Sequence, residues 1–407
     1  MGFDPWDAGF VTDPYPAYRE LREQGRAVWS GSTGQWLVPH HADVSALLRD
    51  RRLGRTYLHR FTHEEFGQQP PPPEHEPFHV LNGAGLLDLE DPAHARVRRL
   101  VAKAFTPRTV ERLAPAVERL ARGLVARLLA DGGGDLLAAV AEPLPVAVIA
   151  ELLGIPESDR GLLRPWSADI CGMFEPRPDA ETARRAVRAC VEFGDYLRGL
   201  IADRRRRPGD DVISAMISAH DEGDGRLSEQ EMVSTCVLLL NAGHEATVNA
   251  TANGWWALFR NPAQLDLLRT FGADPEKLST AVDELLRYDT PLQMFERWVL
   301  DDIRVGDTLI PRGAEVALLF GSANRDPARF ARPDALDLVR ADNPHLSFGA
   351  GIHYCLGAPL ARRELLASFG ALLAAGVPPM RPVREPRWNG GYVMRGLREL
   401  VVEFTTY

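Results

Sequence analysis

"FGAGIHYCLG", Phe348–Gly357, is the most specific stretch in this chain of 407 residues. Three glycines and one cysteine stand just before a helical pattern that runs from about Pro359 to Ala375. As a dinucleotide loop the stretch fails. Gly349-Ala350-Gly351 is followed by no third glycine at 354, and no strand pattern precedes it. As a thiol-nucleophile site it lacks a local signature. As a metal–thiolate loop it makes chemical sense. Glycines let backbone N–H groups approach a sulfur closely and tune a thiolate ligand. The helix N-terminus that follows favours a negative sulfur. Gly357 would let a flat cofactor lie against bare backbone. Cys355 is the candidate metal ligand, and Phe348, Gly349, Gly351 and Gly357 shape its loop.

Working back from that loop, "EVALLF", "TLI", "IRV" and "FERWVL" read as short strands over about 294–320. Before them a long helical pattern begins at the capping box Ser228-x-x-Glu231 and stops at Asn261-Pro262. Such a helix would be about 48 Å long at ~1.5 Å per residue. In its middle, "NAGHEATVNA" (Asn241–Ala250) places a glycine, a histidine, a glutamate and a threonine inside an apolar run. Glycine costs about 1 kcal/mol in a helix interior relative to alanine, and carboxylates are rarely buried without a partner. Residues of this kind at mid-helix call for a functional reason.

Further helical patterns cover 13–25, 92–104, 109–130, 136–153, 160–172, 179–207, 263–270 and 276–288. "AVWS" and "QWLV" alternate like a hairpin over 27–38, and "LRELVVEF" at the end is strand-like. Residues 53–89, with Pro70–Pro73, read as a long loop, a feature that is often functional. His75-x3-His79 has metal-like spacing, but Pro77 between them is expected to spoil a helical pair. "RRRR" at 204–207 reads as a solvated helix end. "DEGDGRLSEQE" lacks calcium-loop ligand spacing and reads as a turn. No repeat and no linker divides the chain, so one mainly α domain over 1–407 with a minor β region is expected.

Composition bounds the rest. The net charge of −9 argues against nucleic acid as a partner. No run approaches the ~18 apolar residues needed to span a bilayer, and the start has no signal-peptide pattern. A cytoplasmic, monomeric protein without membrane contact is expected. Only Lys103 and Lys277 among 47 basic residues are lysines, a bias that points to a GC-rich bacterial genome. Of the four cysteines, Cys171, Cys190 and Cys236 lie in helical patterns as small buried hydrophobes, and no disulfide framework is expected.

The cysteine loop matches the signature of the cytochrome P450 haem-thiolate monooxygenases at every fixed position, and the resemblance extends along nearly the whole chain. It implies that family's fold, with a long central helix over haem and the cysteine loop on the opposite face. Glu284 and Arg287 match its Glu-x-x-Arg pair, and Arg340 resembles the third member of that network. "DPAHARVRR" is similar to its haem-clasping helix, so His94 and Arg98, with Arg297 and His353, would hold the haem propionates. "AGHEAT" resembles its oxygen-groove motif. Gly243 would make a dent for dioxygen, and Glu245 would be the acid of a proton relay. The family's threonine is replaced by Ala246. Thr247 comes one residue later, ~100° round the helix, and cannot simply replace the missing hydroxyl.

The resemblance further implies haem b as cofactor, and electrons from NAD(P)H through a ferredoxin reductase and a ferredoxin. Arg96, Arg99 and Lys103 would meet that ferredoxin. A small organic substrate, as in secondary metabolism, would lie under the 55–89 loop and against Leu239, Ala242, Ala246, Gln293, Met294, Phe295, Val393 and Met394. Because of Ala246, oxidative coupling or desaturation stands beside oxygen insertion. A non-catalytic haem-thiolate sensor and a peroxide-driven enzyme are rivals that the retained Glu245 disfavours.

Overall fold

The computed structural model describes residues 3–175, 178–219, 225–272 and 274–405. Contacts divide the chain into two compact units. The first takes the chain up to Leu53, Pro115–Pro145 and everything from Ala246 onward; the second takes Gly54–Ala114 and Val146–Glu245.

The β structure belongs largely to the first unit. Val28–Ser30 pairs antiparallel with Gln35–Val38, as the alternation of Ala27–Val38 predicts. Gln35–Val38 then pairs parallel with Glu315–Leu318, which pairs antiparallel with Phe295–Val299. Leu53–Gly54 completes a five-stranded sheet. Successive side chains point to opposite faces, and both faces are apolar. Val38, Val316 and Leu318 join one core with Val299 and Phe320. Leu37 and Ala317 join another with Tyr18, Met294 and Leu319. The C-terminal Val401–Phe404 lies between Gly133–Asp135 and Met380–Pro382 in a smaller sheet.

The second unit is helical. Ala180–Arg206 is its longest complete helix, and Asp179 caps it by accepting from the Thr182 N–H. It packs on Leu163–Cys171, where Trp166 stacks on Phe193 at 5.0 Å between ring centroids. Arg204 in its last turn departs from the expectation of a solvated end. Its Nε donates to Asp211 at 2.5 Å and its Nη2 to the Gly154 carbonyl at 2.6 Å. Both acceptors come from other segments, which the local sequence cannot reveal.

The central helix spans Glu229–Phe259, 31 residues, and contributes to both units. Its predicted capping box is present. The Glu231 N–H donates to Ser228 Oγ at 3.2 Å, and the Ser228 N–H to a Glu231 carboxylate oxygen at 2.8 Å. The expected helix over 136–153 is broken into a wide turn at Leu137–Ala141 and a helix at Pro143–Leu153. The 53–89 region is not one loop. It holds helices at His63–Phe66 and Glu76–Gly83. Pro77 sits in the first turn of the latter, where no N–H is needed, so it starts a helix rather than spoiling one. Val212–Ser218 is a further helix without a sequence expectation. The Asp221–Asp224 part of the expected turn lies outside the described residues. Among the described residues Cys171, Cys190, Cys236 and Cys355 form no disulfide. Among the described residues no helix is long and apolar enough to cross a membrane.

Candidate functional site

In the first unit the cysteine loop is a tight turn ahead of the Ala358–Leu372 helix. Gly351–His353 forms a single 3-10 turn, and the Cys355 N–H donates to the Phe348 carbonyl at 3.0 Å. Gly351 has φ 73°, and a Cβ there would come within 2.3 Å of the Leu48 carbonyl oxygen. Only glycine satisfies both conditions. At Gly357 a Cβ would meet nothing nearer than Cys355 Sγ at 3.9 Å, so this face of the backbone is open. Phe348 is held from behind. The Arg362 guanidinium lies 4.5 Å from its ring centroid and donates to Asp283 at 2.8 Å. His345 Nε2 stands 3.4 Å from the same carboxylate.

Arg297, on the Phe295–Val299 strand, is 3% exposed, with its guanidinium 4.5 Å from the Phe295 ring centroid and Nη1 donating to the Glu296 carbonyl at 2.9 Å. His353 is half-buried in the cysteine loop. In the second unit, His94 is buried in the first turn of the Ala93–Ala104 helix, with Nδ1 3.9 Å from Asp91. Arg98 follows at i,i+4 and is half-buried. Arg96 pairs with Glu231, whereas Arg99 and Lys103 are exposed.

Glu284, Arg287 and Arg340 are joined in the first unit. Glu284 and Arg287 are 0% exposed. Arg287 donates to both Glu284 oxygens, from Nε at 2.7 Å and Nη2 at 2.8 Å. Arg340 Nε reaches Oε2 at 3.0 Å and the Asp337 N–H reaches Oε1 at 2.9 Å. Arg287 Nη1 donates to the carbonyls of Asn324 and Pro333, each at 2.8 Å. A carboxylate and a guanidinium this deeply buried are tolerated because their hydrogen-bonding positions are filled.

The middle of the central helix is unlike its flanks. Val237, Leu240, Asn241, His244, Thr247 and Val248 are buried. Leu239, Ala242, Gly243 and Ala246 keep accessible surface. Their i, i+3, i+4, i+7 spacing is one face of the helix, so an accessible stripe, small at 242, 243 and 246, runs along the middle of the helix beside the partly exposed Leu238 and Glu245. Thr247 is 4% exposed, round the helix from that stripe. At Gly243 a Cβ would come within 2.9 Å of Ile149 Cδ1. The dent expected for dioxygen is thus, on its side-chain side, filled by Ile149. Glu245 is partly exposed, and its Oε1 lies 3.8 Å from Nδ1 of His244. Burial, reinforced by the Arg164 charge, lowers the His244 pKa to about 4.

Of the expected substrate walls, Leu239, Ala242, Phe295 and Met394 keep accessible surface. Gln293, Met294 and Val393 do not. Gln293 is committed internally, accepting from Tyr18 Oη at 3.0 Å and donating to the Thr290 carbonyl at 2.6 Å. Met294 and Val393 belong to the core around Tyr18. Sequence reading missed a second buried ion pair. Arg395 Nε donates to Asp289 at 2.8 Å, and Tyr15 Oη donates to the same oxygen at 2.7 Å. The partners are 106 residues apart, and no local signal marks them. Among the described residues, no group of three or more histidine, cysteine or acidic side chains is placed to hold a metal ion.

The donor set fits a haem. One thiol stands beside open backbone at a helix N-terminus, and the buried Arg297 guanidinium suits a carboxylate partner. The cytochrome P450 family model matches residues 276–375. Cytochrome P450 107B1 of Saccharopolyspora erythraea is 37% identical over 404 residues, covering 98% of this chain and 96% of that protein. The polyketide biosynthesis cytochrome P450 PksS of Bacillus subtilis is 37% identical, covering 91% and 89%. The crystal structure of P450BioI, in complex with an acyl carrier protein ligated to hexadec-9Z-enoic acid, superposes with a TM-score of 0.89 at 33% identity, covering 98% of this chain and all of that one. With the cysteine loop, the mainly helical architecture and near full-length relatives in agreement, this chain belongs to the cytochrome P450 family of haem-thiolate monooxygenases.

Proposed function

We propose that residues 1–407 act as one catalytic domain that inserts an oxygen atom from dioxygen into a natural-product intermediate, in the bacterial cytoplasm and as a monomer, with electrons from NAD(P)H delivered by a ferredoxin reductase and a ferredoxin. The observation that carries this reading is the accessible stripe of Leu239, Ala242, Gly243 and Ala246 in the middle of a mostly buried helix. Small residues exposed in mid-helix leave room for a ligand against the backbone. A relative named for polyketide biosynthesis, and a structural neighbour holding an acyl chain on a carrier protein, support a carbon-rich substrate.

In this reading the Cys355 thiolate would hold the haem iron, and His94, Arg98, Arg297 and His353 would hold the propionates through charge-assisted hydrogen bonds. Thiolate-bound haem supplies the dioxygen chemistry; the protein supplies orientation, water exclusion and protons. Phe348, backed by Arg362, and the open backbone at Gly357 keep the thiolate's surroundings fixed. Glu284, Arg287 and Arg340 position the segment that leads into the cysteine loop. Leu239, Ala242, Phe295 and Met394 contact the substrate. Arg96, Arg99 and Lys103 meet the ferredoxin, with Arg96 also paired with Glu231. Glu245 would hold and release a proton at its carboxylate, and Gly243 lets the Pro143–Leu153 helix approach the central one.

Ala246 favours a second reading. With no hydroxyl after the acid, oxidative coupling or desaturation would draw its protons through a different relay. Product analysis separates the two, since oxygen insertion adds one labelled atom from 18O2 and coupling adds none. A screen of polyketide and acyl ligands by the low-to-high-spin absorbance shift identifies the substrate class. The carbon-monoxide difference spectrum tests the ligand assignment: the parent gives the thiolate band, and Cys355→Ser loses it. A Cys355→Ser protein that kept the band would end the reading, and a parent that consumed no oxygen with any ligand and redox partner would favour a sensor.

A further inference from the structure

We infer that His244 passes protons to Glu245, serving as the next member of the relay on the side away from the substrate. His244 is 2% exposed, and neither ring nitrogen has a hydrogen-bond partner. Buried polar atoms of this kind are uncommon and mark either a bound water or a functional group. Adjacent residues on a helix do not normally face each other. Here Nδ1 of His244 nevertheless lies 3.8 Å from Oε1 of Glu245, about 1 Å beyond a hydrogen bond. A small side-chain rotation would close that gap.

The surroundings suit passage rather than storage of a proton. Among the described residues, the Arg164 charge, on the Leu163–Cys171 helix, acts on His244, and the Glu245 carboxylate stands 3.8 Å from its Nδ1. Glu245 also faces that helix, where burial and then its charge push the Cys171 thiol up. Burial and Arg164 keep the imidazole neutral, so it does not hold a proton as a trapped cation. A neutral imidazole has one N–H and one lone pair. It accepts a proton at Nε2 and releases the Nδ1 proton to Glu245 Oε1. One proton crosses, the net charge of the ring is unchanged, and the ring resets by reverting to its first tautomer. The proton source is water reaching Nε2, whose buried, unfilled site is of the kind that ordered waters occupy. In a chain with alanine at 246, this places an extra titratable group on the supply side of the acid.

The inference rests on Glu245 being the relay acid, and the experiment separates the two. The holoenzyme, with ferredoxin, reductase and a ligand that gives the spin shift, is compared as parent, His244→Phe, His244→Gln and Glu245→Gln. Both His244 variants are expected to turn over about 10-fold more slowly, within the range for one proton-transfer group. They should also release more peroxide per product and show a larger solvent deuterium isotope effect, with haem content and melting temperature unchanged. If His244→Phe keeps the parent's coupling and isotope effect while Glu245→Gln loses them, His244 is only packing and the inference is overturned. If Glu245→Gln also behaves as the parent, the relay reading itself fails. An independent readout uses 15N-histidine in the carbon-monoxide-bound ferrous protein. A His244 ring that is neutral at pH 7 supports the inference, and a charged one overturns it.

Discussion

Two helices of this protein carry a carboxylate in mid-sequence, Glu284 fully buried and Glu245 partly exposed, and the buried polar groups around them differ. In the Pro275–Tyr288 helix, each Glu284 oxygen receives at least two donors, from Arg287, Arg340 and the Asp337 N–H. In the central helix, His244 beside Glu245 has two buried ring nitrogens without a hydrogen-bond partner, and one turn earlier both amide atoms of Asn241 are also unmatched. A filled network rigidifies, because each buried polar atom stabilises only while its partners stay in place. An unfilled one is costly to hold and leaves positions for water and moving protons. The contrast separates a cluster whose polar atoms are matched from one whose buried nitrogens are not.

The largest expected effect breaks the filled cluster. Glu284→Gln leaves two buried guanidinium groups without their carboxylate and should cost about 3–5 kcal/mol in denaturant unfolding. A loss below about 1 kcal/mol, the level of an exposed pair, would erase the contrast. The second effect concerns pH. His244 has its folded pKa lowered to about 4 from an unfolded value near 6.5. As pH falls through this window the unfolded chain takes up the proton first. Titration of His244 therefore leaves stability untouched above pH 6.5 and lowers it as pH falls to 4, by about 3 kcal/mol in all. His244→Phe should remove this acid-side decline from the plot of unfolding free energy against pH. Equal declines in parent and variant would show that burial does not keep the ring neutral.

Smaller effects sharpen the comparison within the central helix. Ser228→Ala removes its capping box and should cost about 1 kcal/mol while turnover stays at the parent's level. Reduced turnover there would mean that helix stability, not the 243–246 face, limits the reaction. Ala246→Thr should leave haem binding intact and stability within about 0.5 kcal/mol, yet change the ratio of product to oxygen consumed. An unchanged ratio with the native substrate would show that a hydroxyl at 246 is irrelevant to this relay.

Much of this was legible in order along the chain. The Cys355 loop, the Ser228–Glu231 box and the hairpin at 28–38 each depend on residues within a few positions of one another, and spacing captures them. Which of the expected substrate-wall residues keep accessible surface was not legible. Gln293 and Phe295 are two residues apart on one stretch, but Tyr18 and Thr290 claim the Gln293 side chain. Pro77 was misread because a helix-starting proline and a helix-breaking one differ only in where the helix begins.

The sequence alone determined the chemistry: one cysteine in a glycine loop, an acid without its following hydroxyl, a Glu-x-x-Arg pair on one helical face. Residue type and local spacing are enough for those. The tertiary structure alone decided which polar atoms find partners. Asp289 meets Arg395 across 106 residues, Arg204 turns inward to Asp211 and Gly154, Ile149 fills the space at Gly243, and His244 is left unmatched beside Glu245. The reason is physical. Hydrogen-bond satisfaction depends on groups brought together from distant segments, so the same histidine can be an inert core residue or part of a relay, and only its neighbours in space distinguish them.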